Sequence, residues 1–291
     1  MKNITRSFRY IFALFLVAIF IVVRSVQIGH ENIPAPAIPE RIHKIQVTYD
    51  VYAAGFKSLN ATLNINLGQR SYEMSFAAET QGFIGRFFPW STSMSTHGRI
   101  NEGGVLVPVL HKESSTWRKN TSISEMGYDA HGSTVKMTTQ DAGEPSVDVH
   151  VDNSLSDQAN DVLTATLFLM RNSGSLHKCT GRSPAFDGQR RFDITLTDDG
   201  IEILPHSGYS RFEGEAMRCI LKVEPGPGFQ PKDKKRGWMA VQNYTEARHK
   251  PPLIWFARMG DSDQMVPVRM EIASAYGSAV ANLASWVENK N

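Results

Sequence analysis

The stretch KIQVTYDVYAAG, residues 44–55, decides the fold class of this chain. Ile45, Val47, Tyr49 and Val51 occupy alternate positions, and Gln46, Thr48 and Asp50 lie between them. A period of two sends the first set to one face of a strand and the second to the other. The next segment, ATLNINLGQRSYEMSFAAET (residues 61–80), repeats the pattern on both sides of a Gly68-Gln69-Arg70 turn, with Leu63, Ile65 and Leu67 before it and Tyr72, Met74 and Phe76 after it. Such alternation means antiparallel strands with one face on a core and the other in water.

Working outward, turn signals recur at Gly68, Gly82, Gly98, Gly103-Gly104, Gly127 and Gly132. Short strands with turns at this spacing predict a barrel or a strongly curled sheet. HGSTVKMTTQ (131–140) and PSVDVHVD (145–152) continue the strand pattern. SLSDQANDVLTATLFLMRN (154–172) breaks it, because Leu155, Ala159, Val162, Leu163, Thr166, Leu167 and Met170 follow helical spacing. Ser154 or Ser156 is the expected cap and Gly174 the expected stop, giving one amphipathic helix that closes a face of the sheet. Strands resume with QRRFDITL (189–196), a turn at Asp198-Asp199-Gly200, and IEILP (201–205). AMRCILKVEP (216–225), WMAVQNYTEA (238–247), PLIWFARM (252–259) and VPVRMEIAS (266–274) read as strands, and SAVANLASW (278–286) as a strand or short helix. The expected fold is mainly β: a single strongly curled antiparallel sheet, half-barrel or open barrel, closed by one amphipathic helix.

The N-terminus supplies an address. Lys2, Arg6 and Arg9 precede the uncharged apolar run Tyr10 to Val23. That arrangement fits a secretory signal better than a full membrane span. The residues after it make a poor cleavage site, so residues 1–28 read as a signal peptide or a signal anchor. Pro34, Pro36 and Pro39 mark 29–41 as an extended linker, leaving 42–291 as one periplasmic β-rich domain. The predicted location is the periplasm of a Gram-negative bacterium, with attachment to the inner membrane through the N-terminal segment left open. A net charge of +2, from 31 basic and 29 acidic residues, gives no bulk signature of nucleic-acid binding.

Several stretches together resemble a bacterial exported family known as domain of unknown function 3108. They are YDVYAAGF (49–56), ETQGFIGRF (79–87), DVLTATLFLMRN (161–172), CTGRSPAFDGQRRFDITL (179–196), EGEAMRCILKVEPGPGFQP (213–231) and VPVRMEIASAYGSAVANL (266–283). The resemblance spans Tyr49 to Leu283, and its most specific part couples Cys179, Asp187-Gly188 and Arg190-Arg191 to Cys219 and the Pro-Gly-Phe after it. It implies a periplasmic β-rich fold similar to the curled half-barrels of lipoprotein carriers and envelope-stress sensors. It implies no catalytic residues, since the family has no assigned activity.

The chemistry-bearing residues are few. Two cysteines in an exported chain favour a Cys179–Cys219 disulfide. The nine histidines show no metal-site spacing, and no nucleophile elbow, P-loop or dinucleotide fingerprint occurs, so the expectation is no enzyme, no metal and no cofactor. Asp187 beside Arg190 and Arg191 reads first as a turn with paired charges. In TQGFIGRFFPWSTS (80–93), Phe83, Ile84, Phe87, Phe88 and Trp90 crowd together beyond what a two-faced strand needs. This aromatic corner reads either as ordinary core or as the mouth of an apolar cavity, with Trp117, Arg118 and Tyr128 on the opposite wall. Lys232, Lys234, Lys235 and Arg236 form a basic loop suited to solvent or to anionic headgroups, with Trp238 as an interfacial anchor. The leading expectation is a non-enzymatic envelope protein that binds a lipid or acyl chain in the concavity of its sheet. The alternative is a periplasmic structural or interaction scaffold docking another envelope component.

Overall fold

The computed structural model describes residues 42–230, 233, 237–260, 264–274 and 277–290. The expected signal segment, the linker and the four cations at 232 and 234–236 lie outside the described residues. The chain runs through β1 (His43–Ala53), β2 (Phe56–Leu67), β3 (Ser71–Thr80), α1 (Gly82–Phe87), β4 (Trp90–Ile100), β5 (Leu106–Trp117), β6 (Asn120–Tyr128), β7 (Thr134–Gln140) and β8 (Val147–Asp148). It continues with α2 (Asn153–Ser156), α3 (Val162–Leu176), β9 (Thr180–Phe186), β10 (Arg191–Leu204), β11 (Gly214–Pro225), α4 (Gly237–Glu246), β12 (Leu253–Arg258), β13 (Met265–Ser274) and β14 (Gly277–Lys290).

All these strands belong to one antiparallel 14-stranded sheet, in the order β8-β7-β6-β5-β4-β3-β2-β1-β14-β13-β12-β11-β10-β9. Pairing of β1 with β14 joins the two arms of the meander at the centre. The edges are therefore β8 and β9, which are consecutive in sequence, and the sheet is not closed between them. The chain crosses from one edge to the other through α2 and α3. On the way, Asn160 makes a parallel bridge to Ala185 on the β9 edge. Helix α3 packs along β9 and also meets β3, β4, β5, β10 and β13, so it lies within the concavity.

Alternation in β1 and β2 becomes burial. Ile45, Val47, Tyr49 and Val51 are buried, as are Leu59, Ala61, Leu63 and Ile65. They share one core with Leu163, Leu167, Leu169 and Met170 of α3. Burying each such side chain fully contributes roughly 1.5–3 kcal/mol. Curvature has a visible cause opposite Gly98, where His97 faces Leu110 and Gly98 faces Pro108, so Val109 is an extra residue that bulges β5. A Cβ at Gly98 would run into the Val107 carbonyl and the Tyr72 ring, so the position admits only glycine without rearrangement.

Five expectations need correction. The single helix over 154–172 is two helices, broken where Asn160 turns aside to the β9 edge. Their caps are Asp152 and Asp161, whose carboxylates accept backbone N–H bonds, and not Ser154 or Ser156. Gly174 does not stop α3: the helix runs on to Leu176 and ends on His177 in the left-handed conformation. The segment 238–247 forms α4 and not a strand. Trp238, Met239, Val241, Gln242 and Thr245 are buried at helical spacing. Gln242 bonds both the N–H and the C=O of Val223, substituting for a strand neighbour that β11 lacks there. Asp198-Asp199-Gly200 is a bulge inside the continuous strand β10, because a left-handed Gly200 serves a bulge as well as a turn. The segment 278–286 belongs to β14.

Cys179 and Cys219 are joined by a disulfide with Cα atoms 5.6 Å apart. It does not link paired strands: β9 and β11 flank β10, and the bridge passes beside the β10 bulge, where Asp198 opposes Cys219. Among the described residues no helix is long and apolar enough to cross a membrane.

Candidate functional site

The concave side of the sheet leaves a cavity of about 320 Å³. Leu59, Leu63, Met74 and Met94 line one wall, Phe192, Ile194 and Leu196 the other, and Val162, Leu163, Thr166 and Leu169 of α3 form the floor. Trp238 and Met239 of α4 complete it. Register places the mouth. The β5–β6 turn, the α1 connection between β3 and β4, the turn at 187–190 and the segment carrying α4 all lie at the same end of the sheet. Asp187, Arg190, Asp233 and Trp90, which line the cavity, come from that end.

The aromatic corner is divided by the structure. Trp90 is buried at the start of β4 and lines the cavity. Phe88 and Trp117 pack against the main core without lining the cavity, and Trp117 opposes Trp90 in the β4–β5 pair. Phe83 and Phe87 sit on α1 with rings 4.7 Å apart, and they are 74% and 52% exposed. Helix formation over 82–87 aims this pair outward, away from the cavity mouth where the sequence reading put it. Arg118 occupies a tight left-handed turn, and Tyr128 belongs to a separate buried cluster with Met126, Met137 and Phe186. Trp238 is not an interfacial anchor: it is buried, with its indole N–H donating to Gln242.

A buried polar network anchors the floor. Asp161, with no exposure, accepts the N–H groups of Leu163 (3.0 Å) and Thr164 (2.9 Å) and the hydroxyls of Thr96 (2.7 Å) and Thr164 (2.6 Å). His111 lies 3.2 Å from the same carboxylate. Burial would raise this carboxyl, but the charge and hydrogen bond of His111, with the Thr164 bonds, outweigh it and hold it below the ordinary range. Tyr72 closes the network through its hydroxyl to Thr164 at 2.8 Å. The network ties α3 to β3, β4 and β5.

The second polar group is at the mouth. Asp187 accepts the N–H groups of Gln189 (3.0 Å) and Arg190 (2.6 Å), and its carboxylate pairs with the Arg190 guanidinium at 2.9 Å. Gly188 is left-handed, and a Cβ there would strike Met137. Arg190 stacks over Phe229, its guanidinium carbon 5.2 Å from the ring centre. Arg191 turns away to the carbonyls of Leu155 and Asp157. Burial raises the Asp187 carboxyl despite Arg190. Deeper on the wall, Glu113 of β5 is 8% exposed, and its Oε1 meets no hydrogen-bond partner among the described residues. Burial first, and the Asp187 charge second, push its carboxyl up to about 8.

Sequence reasoning missed Glu113 and the approach of Asp187 to it. Alternation in LVPVLHKESSTW held the signal: His111, Glu113 and Ser115 share a phase, and all three are buried. At the β5 bulge, where Val109 is the extra residue, burial switches from the Leu106 and Pro108 phase to the His111 and Glu113 phase. That switch hides the polar face from a simple count. Among the described residues no group of three His, Cys, Asp or Glu side chains converges to hold a metal ion.

Comparison with known proteins gives a family but no activity. The model of the family described as Protein of unknown function (DUF3108) matches residues 47–284. No curated protein matches the chain. Among solved structures the chain is similar to the crystal structure of a beta-barrel-like protein of domain of unknown function DUF1849 from Brucella abortus. The identity is 11%, with 86% of this chain and 98% of that chain covered and a TM-score of 0.45.

Proposed function

We propose, for a chain that belongs to the family of unknown function DUF3108, a non-enzymatic role in the bacterial cell envelope: binding a lipid or acyl chain between its curled sheet and helix α3. The observation that carries this reading is the cavity. Its volume of about 320 Å³ falls at the lower end of the range for small-molecule sites, about 300–1,000 Å³. Its walls are mostly aliphatic, aromatic and methionine side chains, with a few convergent polar groups. Such a lining suits a flexible hydrocarbon chain, since methionine adapts its shape. The basic and then apolar N-terminus supports export to the periplasm, and the disulfide is compatible with that compartment.

One observation favours the second reading, a scaffold that docks another envelope component. Phe56, Phe83 and Phe87 are all exposed, and α1 packs beside β2, where Phe56 lies. Clustered exposed aromatics mark contact surfaces more often than solvent faces.

Native mass spectrometry of the gently purified chain separates the readings. An apolar adduct on the intact chain supports the carrier. A bare chain that also refuses a fluorescent fatty acid sinks it and leaves the scaffold.

A further inference from the structure

Glu113 sharpens what the cavity selects, on the premise that the cavity binds an amphiphile at all. The carboxyl stands on the wall of an apolar cavity with one oxygen lacking any partner among the described residues. An unmet buried polar atom costs about 1–3 kcal/mol, so a ligand group that meets it gains affinity and orientation there.

The charges around Glu113 narrow the chemistry. On its own strand, His111 is engaged with Asp161. From the β9–β10 turn come Asp187 and Arg190, paired with each other at 2.9 Å. From β13 comes Arg269, whose guanidinium meets Glu271 at 2.9 Å and stacks over Trp255. Asp233 adds a carboxylate at the mouth, and α3 contributes Thr166 as its polar lining group. Among the described residues each lining cation thus has an anionic partner, and the Asp233 carboxylate stands as a further one at the mouth. Among the described residues, a carboxylate or phosphate head would meet carboxyl oxygens, and the lining cations there already share their charge with anions. Glu113 itself keeps its proton through neutral pH, so it presents both an O–H donor and a carbonyl acceptor.

We propose that the cavity takes an amphiphile with an uncharged head that both donates and accepts hydrogen bonds, a hydroxyl or primary amide on an aliphatic chain, seated on the Glu113 carboxyl. The chain lies against the floor of α3, and the head sits beneath the Asp187–Arg190 pair.

The test is competition on the full chain at about pH 6.5, below the Glu113 transition. A fluorescent apolar probe is displaced by saturated ligands of one chain length, ending in hydroxyl, amide, carboxylate or ammonium. The hydroxyl and amide ligands are expected to displace it at concentrations about tenfold lower than the carboxylate, the scale of one net hydrogen bond. Glu113→Leu should erase that ranking, and Glu113→Gln, which keeps a donor and an acceptor, should retain it. A carboxylate that competes best, or a ranking unchanged in Glu113→Leu, overturns the proposal. Failure of the wild-type chain to bind the probe removes the cavity reading and the head-group assignment together, whereas binding without head preference removes only the latter.

Discussion

Replacing Glu113 by glutamine should change how stability depends on pH, and in a calculable direction. In the folded chain the Glu113 carboxyl holds its proton up to about pH 8, against an ordinary value of 4.5. Between those values the folded state carries a proton that the unfolded state has released. Stability therefore falls as pH rises through this window and levels off above it. Each pH unit costs at most about 1.36 kcal/mol, so the whole window corresponds to about 5 kcal/mol, and the step from pH 5 to pH 8 to about 3–4 kcal/mol. Glutamine fills the same space without titrating. The two chains should be nearly equal at pH 5, and the variant should be more stable by on the order of 3 kcal/mol at pH 8. Urea denaturation followed by tryptophan fluorescence at both pH values reads this difference, and pH effects from other groups cancel between the two chains. Parallel pH dependence in wild type and variant would refute the reasoning, because it would mean that folding does not change the proton affinity of Glu113.

Two further outcomes follow from the scaffold around the cavity. Asp161→Ala removes the α3 cap and leaves His111 without its buried anion; a loss of about 3–5 kcal/mol in denaturation is expected, with Asp161→Asn less damaging because its amide oxygen still caps the helix. Replacing Cys179 and Cys219 by serine releases a loop of sequence separation 40, for an expected loss of about 4 kcal/mol, and peptide mapping without reductant should recover the two cysteines joined in the wild-type chain.

The fold was largely legible, for a reason that the first strands make plain. Residues 44–80 alternate because one face is buried throughout, and a period of two survives any curvature of the sheet. Legibility failed where one local signal serves two structures. An Asp-Gly pair supplies the same left-handed residue to a hairpin turn and to the β10 bulge, and only pairing with β11 decides between them. The run Trp238-Met239-Ala240-Val241 is apolar enough for either a strand or a helix, and its state follows from Gln242 meeting Val223, a tertiary contact. The aromatic corner was visible by density alone. Which rings turn inward was not, because α1 sends Phe83 and Phe87 out while β4 carries Trp90 in. Glu113 stayed hidden because an inward acidic residue in a strand looks like an error of phase until the bulge at Val109 on its own strand is known.

The central claim is that the space between α3 and the sheet is a binding cavity. Titration of a fluorescent fatty-acid probe into the wild-type chain and into Ala61→Phe, which builds a ring into that space, tests it most directly. Circular dichroism on both chains serves as the control for folding. The account predicts one saturable site in the wild type and its loss in a folded Ala61→Phe chain. Absence of saturable binding in the wild type, or equal binding by both chains, would contradict it.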